Sequence, residues 1–469
     1  MISAGNNNNS ENKPKSIQRY NEMLFKQKAY YFDVHEFEEI VDYFIDKQDW
    51  VKALEAIKYS KKLHPFIPAL LLKEADLLGA TGQINAALEL IARVELIEHK
   101  NPELFLMKGA LLSDLDQSDK AIDAYLKAAN LSCDDLDEVY LSIAFEFQNQ
   151  SNYQKAIEFL KKSLDLNPKN EDTLYEIGYC YEQLNQQNEM LDFLNTFLDQ
   201  HPYCDHAWNN LGSIYLRQEK YDRAIDAFDF ALAINDDFVT ATFNKGSALI
   251  ACKRFEDAIE VYEKCSTTEV AGSLAFHQIG YCHEQLGNIN KATVLYNKSI
   301  QLDEEFSESW ISLAKLHSSS DKHVEAIYAI KKALQNEEDN ADYWSVFGQI
   351  QGKAGLIEEA KFAYDKATLI NPYLIQSWLD YAELLFQNHF FDEAVEVLNN
   401  GISHNPTSAE FYYRLGAYFT KVGYESDAED IIHLALDMNF DKHEELLDYL
   451  AHDKYKEFIF DLIESHKEV

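Results

Sequence analysis

His201, Cys204 and His206 form the one group in this chain with the composition of a metal site. They lie in the stretch HPYCDHAW, close enough for a turn to bring them together. Imidazole nitrogen and thiolate sulfur are ligands that zinc prefers. Their spacing matches no standard structural zinc pattern, and no second cysteine pair follows. Two exposed histidines beside an unrelated thiol are the alternative interpretation, and we expect no bound metal.

A second chemically capable group occurs twice in the chain. The stretch IGYCYEQL at 177–184 returns as IGYCHEQL at 279–286, which is 102 residues later. Tyrosine combines an apolar ring with a polar hydroxyl, and the accompanying Glu and Gln add a carboxylate and an amide. Peptide-binding surfaces use such a combination. Duplication of a block of sequence is the alternative explanation of the match.

A shorter period of 34 residues runs through most of the chain. The copies begin at residues 34, 68, 102, 137, 171, 205, 239, 273, 307, 341, 375 and 409. Eleven of the twelve copies have alanine at their twentieth position, where two closely crossing helices need a small side chain. The fifth copy has Met190 there, followed by Leu194 and Phe197. We expect these larger residues to splay that helix pair or to shift its neighbour, and so to make the superhelix pitch irregular over residues 171–204.

The clearest copy carries seven residues at characteristic spacing: Trp208, Leu211, Gly212, Tyr215, Ala224, Phe228 and Ala231. In length and spacing this pattern resembles the tetratricopeptide repeat (TPR) family. The resemblance implies an all-α fold, a right-handed superhelical TPR solenoid of antiparallel helix pairs. It extends over 34–442 as twelve repeats.

The segments outside the repeats are short. Residues 1–15 are polar and are predicted to be a disordered lead. Residues 16–33 carry Ile17, Tyr20 and Leu24 at helical spacing, which predicts an N-terminal capping helix. Residues 443–469 have one apolar and one charged face, which predicts a C-terminal capping helix. A helix that docks a partner is the alternative for this last segment.

Catalysis has little room in such a chain. The repeats leave 33 residues before them and 27 after them, too few for a catalytic domain. No Gly-rich phosphate loop, G-x-S-x-G elbow or H-E-x-x-H motif occurs. We therefore expect that the protein is not an enzyme and has no cofactor.

The resemblance also implies which surface binds. In TPR proteins the first helix of each pair lines the concave groove. The groove positions of copies four to eight are rich in aromatic, amide and carboxylate groups. The candidate peptide-binding residues are Phe145, Tyr175, Tyr179, Glu182, Gln183, Asn209, Arg217, Phe243, His277, Tyr281, Glu284 and Gln285. The TPR subclass that grips carboxylates needs a lysine at the fifth position of a repeat, and no copy we compared supplies it.

Net charge narrows the choice of partner. Eighty acidic residues against 42 Lys and Arg give a formal charge of −38. Nucleic acids bind through clustered Lys and Arg, so DNA and RNA are excluded as expected partners. A partner segment of neutral to basic character fits better, although an acidic exterior also serves solubility alone.

The expected location is cytosolic. The Asn-rich N-terminus lacks the apolar core of a secretory signal, and no apolar run is long enough to span a membrane. The six cysteines do not form a disulfide framework in a chain of this length. We therefore predict a cytoplasmic protein-interaction scaffold without membrane insertion. It would hold an extended or helical peptide segment of a partner in the concave groove. A self-associating, homodimeric scaffold with an empty groove is the alternative.

Overall fold

The computed structural model describes residues 14–131, 135–266, 271–450 and 456–467, and this part of the chain is helical without strands. It divides into two compact units, Met1–Asp236 and Asp237–Val469. Each unit is an array of antiparallel helix pairs. Residues 1–13 of the predicted polar lead lie outside the described residues.

The first unit contains one N-terminal helix and six helix pairs. Their bounds are α1 Lys15–Lys26, α2 Val34–Asp46, α3 Trp50–Leu63, α4 Pro68–Ala80, α5 Ile84–Glu95, α6 Pro102–Ser113, α7 Ser118–Asn130, α8 Leu136–Asn149, α9 Tyr153–Leu166, α10 Glu171–Gln183, α11 Gln187–Gln200, α12 Asp205–Arg217 and α13 Tyr221–Ile234. Alanines and branched aliphatic residues on the facing sides of neighbouring helices contribute to three apolar core clusters in this unit.

The second unit repeats this arrangement with six further pairs. Their bounds are α14 Val239–Ala251, α15 Phe255–Glu263, α16 Gly272–Gln285, α17 Ile289–Leu302, α18 Ser307–Ser319, α19 His323–Asn336, α20 Ala341–Lys353, α21 Ile357–Ile370, α22 Ile375–Gln387, α23 Phe391–His404, α24 Ala409–Val422 and α25 Glu425–Met438. A 3-10 turn, Phe440–Lys442, leads into α26 His443–Leu450, and α27 Lys456–Lys467 follows.

The turn inside every pair is built in the same way. The residue two positions before the second helix adopts the left-handed conformation in all twelve pairs. These residues are Gln48, Gly82, Asp116, Ser151, Asn185, Glu219, Lys253, Gly287, Asp321, Gly355, His389 and Gly423. Only glycine adopts this conformation without a steric cost, so most of these turns carry a small local strain.

Tryptophans close the turns between successive pairs. The indole N–H of Trp208 donates a hydrogen bond of 2.9 Å to the carbonyl oxygen of Pro202. Trp310, Trp344 and Trp378 donate in the same way to the carbonyl six residues before them. These four rings are thereby fixed at the start of α12, α18, α20 and α22, and each satisfies a carbonyl two residues beyond the end of the preceding helix.

The N-terminal helix is shorter than the sequence predicts. It ends at Lys26, because Gln27 adopts a left-handed conformation with φ of 50°. The following residues are not helical, and Phe32 among them is fully buried. Within α1 the third buried apolar residue is Met23, whereas Leu24 is 41% exposed. Helix α1 still covers the apolar surface of α2.

The C-terminal segment forms two helices, where the sequence suggests one. Helix α26 lies against α24, and α27 lies against α25. Two short helices can each follow a different helix of the last pair, which one straight helix could not do. Apolar residues of both, among them Leu446, Leu450 and Ile459, are buried in one cluster with α25. Residues 451–455 between them lie outside the described part of the chain.

Candidate peptide-binding site

The fifth helix pair, α10 and α11, is more open than the others. Its two helices approach each other less closely along their backbones than the helices of the other eleven pairs do. A methyl group added to Gly178, at the crossing of the two helices, would lie 3.7 Å from its nearest neighbour, Cε of Met190. The same addition at Gly212 in the next pair would lie 2.6 Å from the ring of Phe228. The splaying expected from Met190 is therefore present in this pair.

The second copy of the repeated stretch, on α16, shows the closed arrangement. The ring of Tyr296 is fully buried and would lie 2.8 Å from a methyl group on Gly280. Its hydroxyl donates a hydrogen bond of 2.6 Å to Oε2 of Glu284. The equivalents of Gly280 and Glu284 in the first copy are Gly178 and Glu182. The first copy thus keeps the same first helix but lacks the covering ring.

This opening leaves a pocket over Gly178, between α10 and α12. Its volume is about 210 Å³. Pockets for drug-sized ligands begin at about 300 Å³, so this one suits a single side chain. Three tyrosines and a thioether provide apolar surface, and one carboxylate and one guanidinium provide charge. The lining residues are Tyr175, Gly178, Tyr179, Tyr181, Glu182, Gln187, Met190, Asn210, Ser213, Ile214 and Arg217.

The charged groups of the pocket are paired with each other. Nη1 of Arg217 lies 3.3 Å from Oε1 of Glu182, and both side chains are more than half exposed. An exposed ion pair of this kind contributes little to stability. It does hold the carboxylate beside the tyrosine rings. A hydrogen bond with Tyr153 raises the pKa of Tyr179 above its ordinary value.

Four of the predicted site residues line this pocket: Tyr175, Tyr179, Glu182 and Arg217. Tyr175 is 71% exposed and Tyr179 is 40% exposed, which is high for aromatic residues in the middle of a helix. Phe145 and Gln183 are exposed as well but do not line the pocket. Binding by any of these residues stays a prediction.

Asn209 does not occupy the exposed position that the sequence suggests. It is only 8% exposed, and Oγ of Ser213 donates a hydrogen bond to its carbonyl oxygen. The fifth position of a repeat is buried in other copies too, as Leu72 and Leu141 show. The next residue, Asn210, lines the pocket instead.

The other predicted residues belong to the second unit and are more embedded. Phe243 packs against Tyr262 with 5.3 Å between ring centroids, and Glu284 accepts the hydrogen bond from Tyr296. Tyr281 is 36% exposed, and Gln285 is exposed. Phe243 and Glu284 therefore have packing roles alongside any contact with a partner, whereas Tyr281 and Gln285 face solvent.

His277 is half-buried, and the desolvation of its ring between aromatic neighbours should make stability depend on pH. Burial lowers its pKa to about 4, and the ring lies between Tyr296 and Phe306 with Nδ1 3.1 Å from Oγ of Ser309. Between the ordinary pKa of 6.5 and this value, the unfolded chain binds a proton that the folded chain does not. Stability must then fall as the pH falls. From about pH 7 to about pH 5.5 we expect His277 to account for a loss of about 1 kcal/mol.

Chemical denaturation at both pH values would measure this loss. In a His277→Gln variant the pH-dependent decrease should be smaller by that amount, while other histidines contribute equally to both proteins. An unchanged difference between the two pH values would show that the ring of His277 is protonated in the folded state.

The three candidate metal ligands have separate partners. Sγ of Cys204 is buried and donates to the carbonyl oxygen of Pro168 at 3.5 Å. His206 lies between Glu171 and Asp205, and the ring of His201 packs at a tilt of 41° against the ring of Phe197. Among the described residues, no three histidine, cysteine or acidic side chains are grouped closely enough to hold a metal ion.

No helix in the described part of the chain is both long and apolar enough to cross a membrane. The helices are short because each spans only one side of a repeat.

Three known proteins are similar to this chain in sequence or in structure. A BBSome complex member BBS4 homolog from Drosophila melanogaster is 29% identical over 137 residues, which cover 29% of this chain and 28% of that protein. The chain therefore spans little more than a quarter of that relative. Yeast Tom70 aligns in structure over 92% of this chain and 96% of its own, with 13% identity and a TM-score of 0.47. The APC/C hetero-tetramer Cut9–Hcn1 aligns over 85% and 92%, with 14% identity and a TM-score of 0.41.

Family profiles agree with the helix pairs. Profiles described as tetratricopeptide repeat match residues 102–132, 137–170, 172–202, 206–238, 239–268, 274–306, 341–373 and 375–418. The matches lie in both units and together cover more than half of the chain. The predicted fold class is confirmed, and the chain belongs to the tetratricopeptide repeat family.

Proposed function

We propose that this scaffold holds an extended or helical peptide segment of a partner protein against α10 and α12 of its first unit. A protein-interaction scaffold is the general role of its family. The pocket over Gly178 is the observation that carries the more specific proposal. Helices of a solenoid usually bury their large side chains against neighbours, yet here two tyrosines face solvent beside an opening.

The composition of the pocket supports this proposal. Tyrosine and arginine are enriched among residues that dominate binding energy at interfaces, because each combines a large contact area with a directional polar group. Tyr175, Tyr179 and Glu182 line the pocket from α10. Arg217 lines it from α12 and forms an ion pair with Glu182. The net charge of −38 favours a partner segment that is neutral to basic. We place this interaction in the cytosol, as the sequence suggests.

Partner capture tests the proposal. The double variant Tyr175→Ala, Tyr179→Ala should recover at least one partner with a yield about ten-fold lower in affinity purification with quantitative mass spectrometry, since hot-spot residues contribute about 1.4 kcal/mol or more. Tyr203→Ala is the control, because Tyr203 is 78% exposed in the same unit but lies outside the pocket. Unchanged yields for every partner of the double variant would contradict the proposal.

The self-associating scaffold gives a different result. Light scattering across a range of protein concentrations would then show a dimer whose mass does not depend on Tyr175 or Tyr179. A monomer at all concentrations, combined with the loss of partners in the double variant, supports peptide capture.

A further inference from the structure

The two copies of the repeated stretch form an internal comparison. Their first helices, α10 and α16, carry Gly178 and Gly280 at the crossing with the second helix, and Glu182 and Glu284 four residues later. The second helices differ. Where α17 has Ala292 and Tyr296, α11 has Met190 and Leu194.

In the closed copy, one side chain of α17 covers the glycine of α16 and donates a hydrogen bond to its glutamate. The ring of Tyr296 packs over Gly280, and its hydroxyl donates to the carboxylate of Glu284 at 2.6 Å. The ring fills the apolar space above the glycine, and the hydroxyl meets the one charged acceptor at its edge. Hydrogen bonds to a charged acceptor are the stronger kind, so this carboxylate selects a donor.

The open copy offers the same two features without the tyrosine. The pocket lies over Gly178 and is lined by Glu182, whose carboxylate has several acceptor positions in addition to the one that Arg217 contacts. A leucine at position 194 has neither a ring nor a hydroxyl to occupy this space. Tyr175 and Tyr179, which also line the pocket, remain exposed.

We propose that the pocket receives a tyrosine side chain from the partner's peptide segment, with its ring over Gly178 and its hydroxyl donating a hydrogen bond to Glu182. The partner would thus supply in trans the group that Tyr296 supplies within the second unit. This inference rests on the proposed function and specifies the anchor residue of the ligand. The flanking residues of the segment are neutral or basic, because the chain is strongly acidic.

The side-chain analogue 4-methylphenol is a suitable probe. We expect it to bind the full-length chain with an affinity in about the millimolar range, because so few atoms are buried. Its methyl ether, 4-methylanisole, has the same ring but no donor, and should bind about ten-fold more weakly. Ligand-observed NMR titration measures both affinities. Equal binding of the two compounds would overturn the proposal.

Two variants locate the binding site. Glu182→Met removes the acceptor while keeping the length of the side chain, and should weaken 4-methylphenol about ten-fold without changing the binding of 4-methylanisole. The control is Glu189→Met, since Glu189 is an exposed acid at the start of α11 and does not line the pocket. An equal effect of both changes, or none of either, would contradict the assigned role of Glu182.

Closing the pocket is the complementary test. The double variant Met190→Ala, Leu194→Tyr gives α11 the residues that α17 has, and its new ring should cover Gly178 and exclude both compounds. Undiminished binding by a variant of native helical content would overturn the proposal. Where circular dichroism shows that this variant does not fold, the proposal is tested by the comparison of the two compounds and by Glu182→Met.

One result would separate this inference from the proposed function. If partner capture depends on Tyr175 and Tyr179 but 4-methylphenol does not bind, the tyrosine anchor is rejected and the proposed function stands.

Discussion

Replacing Glu383 with alanine should destabilise the C-terminal end of the second unit by about 3 kcal/mol. This carboxylate is the meeting point of three helices. Its Oε2 accepts hydrogen bonds from Arg414 at 2.8 Å, from Tyr418 at 3.0 Å and from Tyr449 at 2.7 Å. Glu383 lies on α22, Arg414 and Tyr418 on α24, and Tyr449 on α26.

Most of the expected loss of stability comes from Arg414 and Tyr418, which would lose their hydrogen-bond acceptor. Tyr418 is fully buried and Arg414 is only 26% exposed, so neither could recover its hydrogen bond from water without local opening. Leaving a largely buried charge unpaired costs more than the pair itself contributes. Burial alone would raise the pKa of Glu383, but the hydrogen bonds of Tyr449 and Gln387 and the charge of Arg414 hold that pKa below its ordinary value.

Chemical denaturation and hydrogen exchange would measure this effect. We expect a lower free energy of unfolding and faster amide exchange in residues 443–450, because Tyr449 loses its anchor. Glu383→Gln should lower the free energy of unfolding by less than Glu383→Ala does, because the amide oxygen still accepts hydrogen bonds. The control Glu396→Ala, at an exposed position of α23, should stay within about 0.5 kcal/mol of the native chain. A loss at Glu383 no larger than this control would show that the cluster is not a structural anchor.

The repeat period made the fold predictable, because the same physical requirement recurs every 34 residues. Ala224 and its equivalents mark helix crossings, and Trp208, Trp344 and their equivalents mark the start of first helices. The conformation of the turns inside the pairs was less predictable from the sequence. Glu219 and Lys253 adopt a left-handed conformation there with φ of 58° and 60°, although neither residue favours it. Backbone hydrogen bonds that close the end of the first helix accompany this conformation, for example from the N–H of Lys220 to the carbonyl oxygen of Tyr215 at 2.9 Å. The residue types in the turn do not reveal it.

The candidate site was predictable only in part. Tyr175, Tyr179, Glu182 and Arg217 follow from groove positions, and Met190 was conspicuous as a break in the alanine pattern. The pocket itself depends on the space between two helices, which reflects what Leu194 and Met190 leave uncovered. Volume of this kind arises from three-dimensional packing. The burial of Asn209 likewise depends on the neighbouring helix and has no signature in its own repeat.

Two glycine substitutions test whether the fifth pair is open in solution. Gly212→Ala should lower the free energy of unfolding of the first unit by about 2 kcal/mol. The new methyl group would lie 2.6 Å from the ring of Phe228, which is fully buried and has no room to move. Overpacking of this kind outweighs the gain of about 1 kcal/mol that alanine brings to a helix interior.

Gly178→Ala is the matched change, at the same repeat position and in the same unit. Its methyl group would make an ordinary contact of 3.7 Å with Cε of Met190, so only the helix preference of alanine remains. We expect the free energy of unfolding to stay equal or to rise by up to about 1 kcal/mol. Urea denaturation followed by circular dichroism measures both variants under the same conditions. Equal losses at the two glycines would mean that Met190 and Leu194 close over Gly178 in solution, and then no partner side chain could enter there. A lower free energy of unfolding for Gly212→Ala and a higher one for Gly178→Ala would show that the repeat with Met190 in place of alanine is less tightly packed. The space left there is one that a partner side chain can fill.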